Sequence, residues 1–161
     1  LSLYGIKIFQ NYINKKIILF FVIISILTSL FWIINNHPFQ YVYYNSLVKN
    51  NIKKNFELDY WGVSNLYTLN HLIDNYNRDK YFVFAYSNSP YHYSKNMIDS
   101  EKRNKIKFVD EIKDAEFILS NHYYLNQQPY KKDKYLFDNF EVIYEININN
   151  VSINSIFMKK L

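Results

Sequence analysis

The sequence of 161 residues contains no cysteine, two glycines and three prolines. The lack of cysteine excludes a disulfide framework and a metal site built on thiolates. With two glycines the chain has no glycine-rich phosphate loop and no G-x-S-x-G motif, so the usual forms of nucleotide binding and serine hydrolysis have no local support. We therefore expect no cofactor and no metal.

Histidine is also scarce. The chain has four, His37, His71, His92 and His122, and no two of them have the i, i+4 spacing of a zinc-binding helix. We expect His37 at a membrane interface, His71 on the exposed side of a helix, and His92 and His122 in turns or at strand ends. None of the four is predicted to be catalytic.

The charge is small and mixed. Lysine and arginine number 19 against 14 aspartates and glutamates, which gives a formal net charge of +5. A basic excess can indicate a nucleic-acid or anionic-membrane partner. The lysines are interspersed with acids, as in KRNKIKFVDEIKDAE, and such a mixture is typical of a solvated face. We expect no nucleic-acid partner.

One long apolar run, residues 17–34, carries no charge. As a helix it would cover roughly 27 Å of a hydrocarbon core about 30 Å thick, so it predicts one membrane-spanning helix with lipid as a partner. A buried core helix would show a broader polar stripe than Ser25, Thr28 and Ser29 supply. A cleaved signal peptide has a shorter apolar region and a small-x-small site, which is absent here before Asn35.

Aromatic residues cluster directly after this run, in the stretch HPFQYVYYN. Tyrosine and tryptophan collect where hydrocarbon meets headgroups, because their polar tips stay hydrated. We predict a membrane-interface belt of Trp32, Phe39, Tyr41, Tyr43 and Tyr44. Because Lys7, Lys15 and Lys16 precede the run, the positive-inside rule places the N-terminal flank in the cytoplasm and the rest of the chain outside.

Four segments follow from these patterns. Residues 1–16 are predicted to be a cytoplasmic flank or upstream loop, 17–34 a transmembrane helix, 35–56 an interfacial aromatic segment and loop, and 57–161 an extracytoplasmic domain. The chain starts with Leu1 rather than Met, so we expect it to be a fragment of a longer protein. The last segment is long enough for one small domain with its own core.

The fold class predicted for this domain is α/β. The stretch VSNLYTLNHLIDNYN spaces apolar residues as an amphipathic helix does, with Ser64 as a candidate cap. The runs KYFVFAY, IKFVDE and AEFILSNHYY are typical of buried strands, and crossover-length segments separate them. Two alternating runs around Asn149-Asn150 predict a closing β-hairpin, because asparagine tolerates positive φ.

The stretch FELDYWG contains two carboxylates in a distinctive setting, Glu57 and Asp59 beside Tyr60 and Trp61. In a strand the two carboxylates would lie on one face and perturb each other's pKa. A structural role is the preferred interpretation: Asp59 or Ser64 accepts hydrogen bonds from the free N–H groups of the next helix, and the two rings pack beneath it. The aromatic rings would also suit the apolar face of a sugar.

Three pieces in order, HPFQYVYYN, FELDYWG and YEININNVSINSIFMKK, resemble the C-terminal end of bacterial multi-pass membrane proteins of the dolichyl-phosphate-mannose–protein mannosyltransferase-like class. The relatives have approximately His-Pro-Tyr-Gln-Tyr-Val-Tyr-Phe-Asn, then Phe-Glu-x-Asp-Tyr-Trp-Gly, then a final hairpin that turns on Gly. The resemblance covers most of the chain from His37 to Lys160. Two features depart from it, since NSLVKNN stands where relatives have Gly-Gly and Asn149-Asn150 replace the glycine of the turn.

The resemblance implies the last transmembrane helix and extracytoplasmic domain of a glycosyltransferase of the bacterial inner membrane, which takes sugar from a polyprenyl-phosphate donor to a glycan or protein acceptor. Such relatives carry their catalytic acid in the first outer loop, upstream of this region, so we expect no catalytic residue here and the rest of the enzyme as partner. The candidate substrate or docking residues are Asp59, Tyr60, Trp61, His37, Gln40 and Asn45. Other positions that match the motifs are Pro38, Tyr41, Tyr44 and Gly62. The alternative is a single-pass, membrane-tethered binding domain without catalysis.

Overall fold

A computed structural model describes residues 2–9, 14–43, 52, 56–123 and 137–160. The chain divides into two compact units, residues 1–40 and residues 41–161, here called unit 1 and unit 2. The predicted belt residue Tyr44 and the candidate site residue Asn45 lie outside the described residues.

Unit 1 is helical. Helix α1 spans Ser2–Phe9, in a segment for which the sequence predicted no helix, and helix α2 spans Lys15–Asn35. Helix α2 has 21 residues and a mean hydropathy of 2.9 over its apolar window, and none of its side chains is buried within the chain. At about 1.5 Å per residue it is roughly 32 Å long. Helix α2 is therefore long and apolar enough to cross a membrane.

The polar groups of α2 are satisfied within the helix or at its ends. Asn14 begins the helix, and its side-chain oxygen accepts a hydrogen bond from the Lys16 N–H at 2.9 Å. The hydroxyl groups of Thr28 and Ser29 both donate to the Ser25 carbonyl at 2.9 Å. Such internal bonds suit an apolar surrounding, because a polar group left unpaired in hydrocarbon costs on the order of several kcal/mol.

Unit 2 is built on a five-stranded mixed sheet. Its strands are β1 (Tyr81–Tyr86), β2 (Ile106–Phe108), β3 (Phe117–Ser120), β4 (Phe140–Ile148) and β5 (Val151–Lys159). They lie in the order β2-β1-β3-β5-β4. Strand β1 runs parallel to β2 and β3, whereas β5 is antiparallel to β3 and β4. The mixture of helices with this sheet confirms the predicted α/β class.

Three α-helices have bounds within the described residues of unit 2. Helix α3 spans Val63–Asn75, α4 spans Tyr91–Asn96 and α5 spans Ser100–Lys105. The helices α4 and α5 and the strand β2 all lie in the connection between β1 and β3. The stretch predicted as a loop or short helix is thus two short helices.

Side chains alternate between two apolar clusters because successive residues of a strand face opposite sides of the sheet. On one face Leu69 and Leu72 of α3 pack against a set of strand residues. On the other face Ile118 packs against Phe140 and Phe157. The strand members of the first cluster are Tyr81, Val83, Ile106, Phe117, Leu119 and Ile156. Strand β3 is buried on both faces, which explains why its first three residues are all apolar.

Two asparagines join β4 to β5. Asn149 and Asn150 have φ angles of 49° and 62°, and Ile148 pairs with Val151 across them. Both angles lie in the left-handed region, where asparagine is among the more tolerant residues other than glycine. The two-residue connection therefore needs no glycine here.

Candidate functional site

The carboxyl ends of β1 and β3 mark the point where the strand order reverses. The chain leaves β1 toward β2 on one side, and it leaves β3 toward β5 and β4 on the other. In open α/β sheets the crevice outside such a switch point is the usual place for a ligand. Ser87, Asn88 and Ser89 follow β1 at this edge, and Asn121 follows β3.

Asp59 lies at this edge of the sheet and is only 1% exposed. Its two carboxylate oxygens accept hydrogen bonds from the hydroxyl groups of Tyr41 and Ser64. The backbone N–H groups of Val63 and Ser64 also donate to it, and Asn121 Nδ2 donates to its main-chain carbonyl at 3.3 Å. Burial raises the pKa of Asp59, and these hydrogen bonds partly oppose the rise.

The start of α3 corrects part of the sequence prediction. The residue before the helix is Gly62, and Ser64 lies inside the first turn, where it donates to Asp59 rather than capping the helix. Asp59 accepts hydrogen bonds from free N–H groups of that turn, which confirms one of the two predicted alternatives. A carboxylate near a helix N-terminus is also favoured by the helix dipole.

Asn154 of β5 connects the same region to the sheet and is fully buried. Its Nδ2 donates to Ser64 Oγ at 2.7 Å and to Asn65 Oδ1 at 3.0 Å, and its Oδ1 accepts from the Tyr91 hydroxyl at 3.0 Å. Burial raises the pKa of Tyr91. We name Tyr41, Asp59, Ser64, Asn65, Tyr91 and Asn154 the polar network.

The polar network continues to the strand ends. Asn65 Nδ2 donates to Ser89 Oγ at 3.0 Å, and Ser89 Oγ lies 3.0 Å from Ser87 Oγ. Asn121 Nδ2 donates to Asn88 Oδ1 at 2.5 Å. With its hydroxyl and amide groups paired and Asp59 enclosed, the arrangement fixes the segment around Asp59 against α3 and β5. It does not present Asp59 to a substrate as an acid or base.

Gly62 completes the turn that follows Asp59. Its φ of 65° lies in the left-handed region, and a Cβ at this position would lie 2.4 Å from Ser89 Oγ and 2.7 Å from Asn65 Nδ2. Both the backbone angle and the close approach therefore require glycine. The turn is held at Asp59 by the polar network and at Gly62 by the loop after β1.

The aromatic residues between these two anchors face outward. Tyr60 is 55% exposed and Trp61 is 77% exposed, so the prediction that they pack beneath the helix is wrong. Their rings meet edge to face, with centroids 5.2 Å apart and an interplanar angle of 86°. Both rings lie in the turn between Asp59, which is enclosed, and Gly62, where no Cβ fits.

A cleft of about 350 Å³ opens beside Trp61 and Gly62. It lies between the first turns of α3 and the helix α4. Its principal lining side chains are Trp61, Asn65, Tyr67, Ser89, Tyr93 and Met97. We name it the aromatic cleft. The described residues that line it include no charged side chain.

The other candidate residues lie apart from this cleft. Glu57 is exposed and shares no hydrogen bond with Asp59 among the described residues, so the two carboxylates do not form a pair. His37 is exposed, and Gln40 is half-buried in unit 1, where its carbonyl accepts from Trp32 Nε1 at 3.3 Å. The predicted belt residue Tyr41 hydrogen-bonds Asp59 in unit 2.

Two histidine predictions are wrong. His71 is half-buried rather than exposed and stacks on Tyr144 with ring centroids 3.6 Å apart; burial lowers its pKa. His92 lies in α4 rather than in a turn or at a strand end. His122 does follow a strand, β3, and has a φ of 61°.

His122 contacts two serines of β5. Its Nε2 lies 3.0 Å from Ser152 Oγ and 2.9 Å from Ser155 Oγ, and Ser155 Oγ donates to Glu145 Oε1 at 3.0 Å. A nucleophilic triad places the acid on the second nitrogen of the histidine, whereas here the acid binds the serine. Both serines are also buried, so neither presents its hydroxyl to a substrate. Among the described residues no group of three His, Asp or Glu side chains could hold a metal ion.

Sequence reasoning missed Asn65, Asn154, Tyr91 and Tyr93. Asn65 and Asn154 lie in runs for which the prediction followed the apolar neighbours. Asparagine is also more often a turn residue than a core residue. One signal was present, because Asn154 has the same strand parity as the apolar Ile156 and Met158 and so shares their face of β5.

Together these features define an α/β domain with a buried polar network and an aromatic surface cleft, in a chain whose described residues include a candidate membrane helix. Comparisons of this chain with models of protein families, with curated proteins and with solved structures find no match.

Proposed function

We propose that this chain is the C-terminal membrane anchor and extracytoplasmic domain of a glycosyltransferase that takes its sugar from a polyprenyl-phosphate donor at the bacterial inner membrane. The catalytic loop of such an enzyme lies upstream of this region, and this piece contributes anchoring and acceptor handling rather than the reacting acid. Its partners are membrane lipid, the donor lipid, an acceptor glycan or protein, and the remaining spans of the enzyme.

One observation carries the proposal. The segments HPFQYVYYN and FELDYWG, which resemble those enzymes most specifically, meet through the hydrogen bond from the Tyr41 hydroxyl to Asp59. Each of these two residues is also present in the pattern of the relatives. Their contact gives a physical reason why both motifs occur together in one chain after a membrane helix.

The geometry separates the roles within FELDYWG. Asp59 and Gly62 are enclosed and hold the turn, whereas Trp61 is exposed and lines the aromatic cleft. We assign Asp59 a positioning role and Trp61 a contact role. Replacing Asp59 is therefore expected to destabilise the fold, whereas replacing Trp61 is expected to weaken ligand binding.

A second candidate is a single-pass tethered binding domain. It is favoured by the enclosed state of Asp59. The aromatic cleft would serve this function equally well.

The coding sequence upstream of the Leu1 codon distinguishes the two candidates. Several further apolar spans and an early outer loop with paired acids support the glycosyltransferase. A start codon a few positions upstream rejects it and leaves the tethered domain.

Orientation is tested by labelling single cysteines, because the chain has none of its own. Lys7→Cys and Glu101→Cys place one thiol on an exposed position of α1 and of α5. A membrane-impermeant maleimide is expected to label Glu101→Cys in intact cells and Lys7→Cys only after lysis. The reverse pattern would reject the extracytoplasmic placement of unit 2.

A further inference from the structure

We propose that the aromatic cleft binds a neutral sugar, with Trp61 and Tyr93 supplying the faces on which its ring stacks. The inference rests on the proposed function and names the chemistry of the acceptor that unit 2 would hold.

Trp61 is presented by a rigid turn. It is 77% exposed although it lies between Asp59, which is enclosed, and Gly62, whose position admits no Cβ. Tyr60 braces the indole edge to face. A large ring held outward in this way leaves apolar surface exposed to water. Because the ring is already ordered, a ligand that stacks on it does not lose affinity to the entropy of ordering it.

Tyr93 is presented in a similar way from α4. Its side chain is 64% exposed, and its ring contacts that of His92 with centroids 4.1 Å apart. Met97, one turn later, is 74% exposed and lines the same cleft. Two aromatic faces and a flexible thioether therefore border one recess.

The lining suits a neutral ring that has both apolar and polar faces. The C–H groups of a hexose carry partial positive charge and are attracted to the negative face of an aromatic ring. Ser89, which is half-buried and held by the hydrogen bond from Asn65, supplies a hydroxyl group in the same cleft. Because no charged side chain is among its described lining residues, a phosphate or uronate has no counter-ion there.

The adjoining recess gives room for a second sugar unit. It has a volume of about 550 Å³ and shares Ser89 and Pro90 with the aromatic cleft. It is more polar, with Asn88, His92 and Asp110 among its lining residues. A disaccharide could place one ring between Trp61 and Tyr93 and hydrogen-bond its second ring to the amide and carboxylate of this recess.

The competing explanation for the exposed rings is contact with the lipid surface. A surface that inserts into a bilayer gains most when it protrudes, whereas Trp61, Tyr93 and Met97 border a concave cleft with polar groups in it. We therefore favour the sugar and make the lipid an outcome of the test.

The test uses the 161-residue chain in phosphatidylcholine nanodiscs. The chain has two tryptophans, so Trp32→Phe leaves Trp61 as the single emitter and Trp61→Phe leaves Trp32. Cellobiose, chitobiose and mannobiose are titrated to about 100 mM, a range that covers millimolar dissociation constants. At least one is expected to shift the Trp61 emission saturably, while the Trp61→Phe chain shows no response.

Two further variants define the site. Tyr93→Ala in the Trp32→Phe chain is expected to weaken binding about tenfold, the size of one lost stacking contact. Phe82→Ala removes an exposed ring of β1 that does not line the cleft and is expected to leave binding unchanged. Far-UV circular dichroism of each variant shows whether the fold is retained.

No saturable response to any of the three sugars would overturn the inference. Quenching of Trp61 by brominated acyl chains would also overturn it, because the ring would then lie in the bilayer. Failure here is distinct from failure of the proposed function: sugar binding by a chain with no upstream spans rejects the glycosyltransferase alone, and upstream spans without sugar binding reject this inference alone.

Discussion

The hydroxyl of Tyr41 donates a hydrogen bond to the carboxylate of Asp59, eighteen positions further along the chain. Tyr41 is the first residue of unit 2, and Asp59 is among its most enclosed polar groups. The bond therefore fixes where unit 2 begins relative to α3 and the sheet.

Replacing Asp59 tests this arrangement. Asp59→Ala removes the acceptor of two hydroxyl groups and two backbone N–H groups, and we expect a loss of about 3 kcal/mol or more in the free energy of unfolding. Asp59→Asn keeps one carbonyl oxygen and the shape of the side chain, so its loss should be smaller. Urea unfolding of detergent-solubilised chains, followed by near-UV circular dichroism, measures both; equal losses would contradict the role of the second oxygen.

Stability should also depend on pH through Asp59. Burial raises its pKa above the usual 3.8, so the native state holds the proton more tightly than the unfolded state. The stability it contributes is fully present below about 3.8 and is lost as pH rises through the raised pKa. The free energy of unfolding of the wild type minus that of Asp59→Asn should fall across this window. A difference that rises with pH would show the pKa to be lowered.

Gly62→Ala is expected to destabilise unit 2 strongly. The left-handed backbone costs an alanine roughly 1–2 kcal/mol, and its Cβ would also collide with Ser89. The matched control is Gly5→Ala in α1, where nothing lies within 4 Å and alanine should be neutral or favourable by about 0.5–1 kcal/mol. Thermal unfolding followed by near-UV circular dichroism compares the two. Similar effects at both positions would argue against the rigid turn.

The bond between Tyr91 and Asn154 lends itself to a double-mutant cycle. Tyr91→Phe leaves the buried Asn154 Oδ1 without its donor and should cost about 1–3 kcal/mol. With Asn154→Ala the cycle should give a coupling of about 0.5–3 kcal/mol. Tyr60→Phe, at an exposed ring, is the control and should change stability by less than about 0.5 kcal/mol. A coupling near zero would mean that the two residues act independently.

Local periodicity was sufficient to predict several elements. Leu66, Leu69, Leu72 and Ile73 recur at helical spacing, and all of them pack on the sheet from α3. Tyr81 and Val83 of β1 alternate into the same cluster as a strand pattern requires. These predictions succeeded because the burial of each residue follows from its neighbours along the chain.

The candidate site depended on contacts that no local pattern contains. Asp59 was one of two residues predicted to satisfy the start of α3 and it does so, whereas its hydrogen bond from Tyr41 was not predicted. Asn154 meets Ser64 across 90 positions, so its role is decided by the order of the strands. Trp61 was predicted to pack beneath the helix, and it is exposed in the turn before Gly62.

Strand β4 forms one edge of the described sheet, and its irregular pairing affects how neighbouring molecules meet. Its register with β5 shifts between Val142 and Tyr144 and again between Ile146 and Asn147, and Glu141 and Glu145 are exposed along it. Bulges and charges hinder the addition of a further strand. Copies of this chain held at high local concentration can thus lie side by side without joining edge to edge into a continuous aggregate.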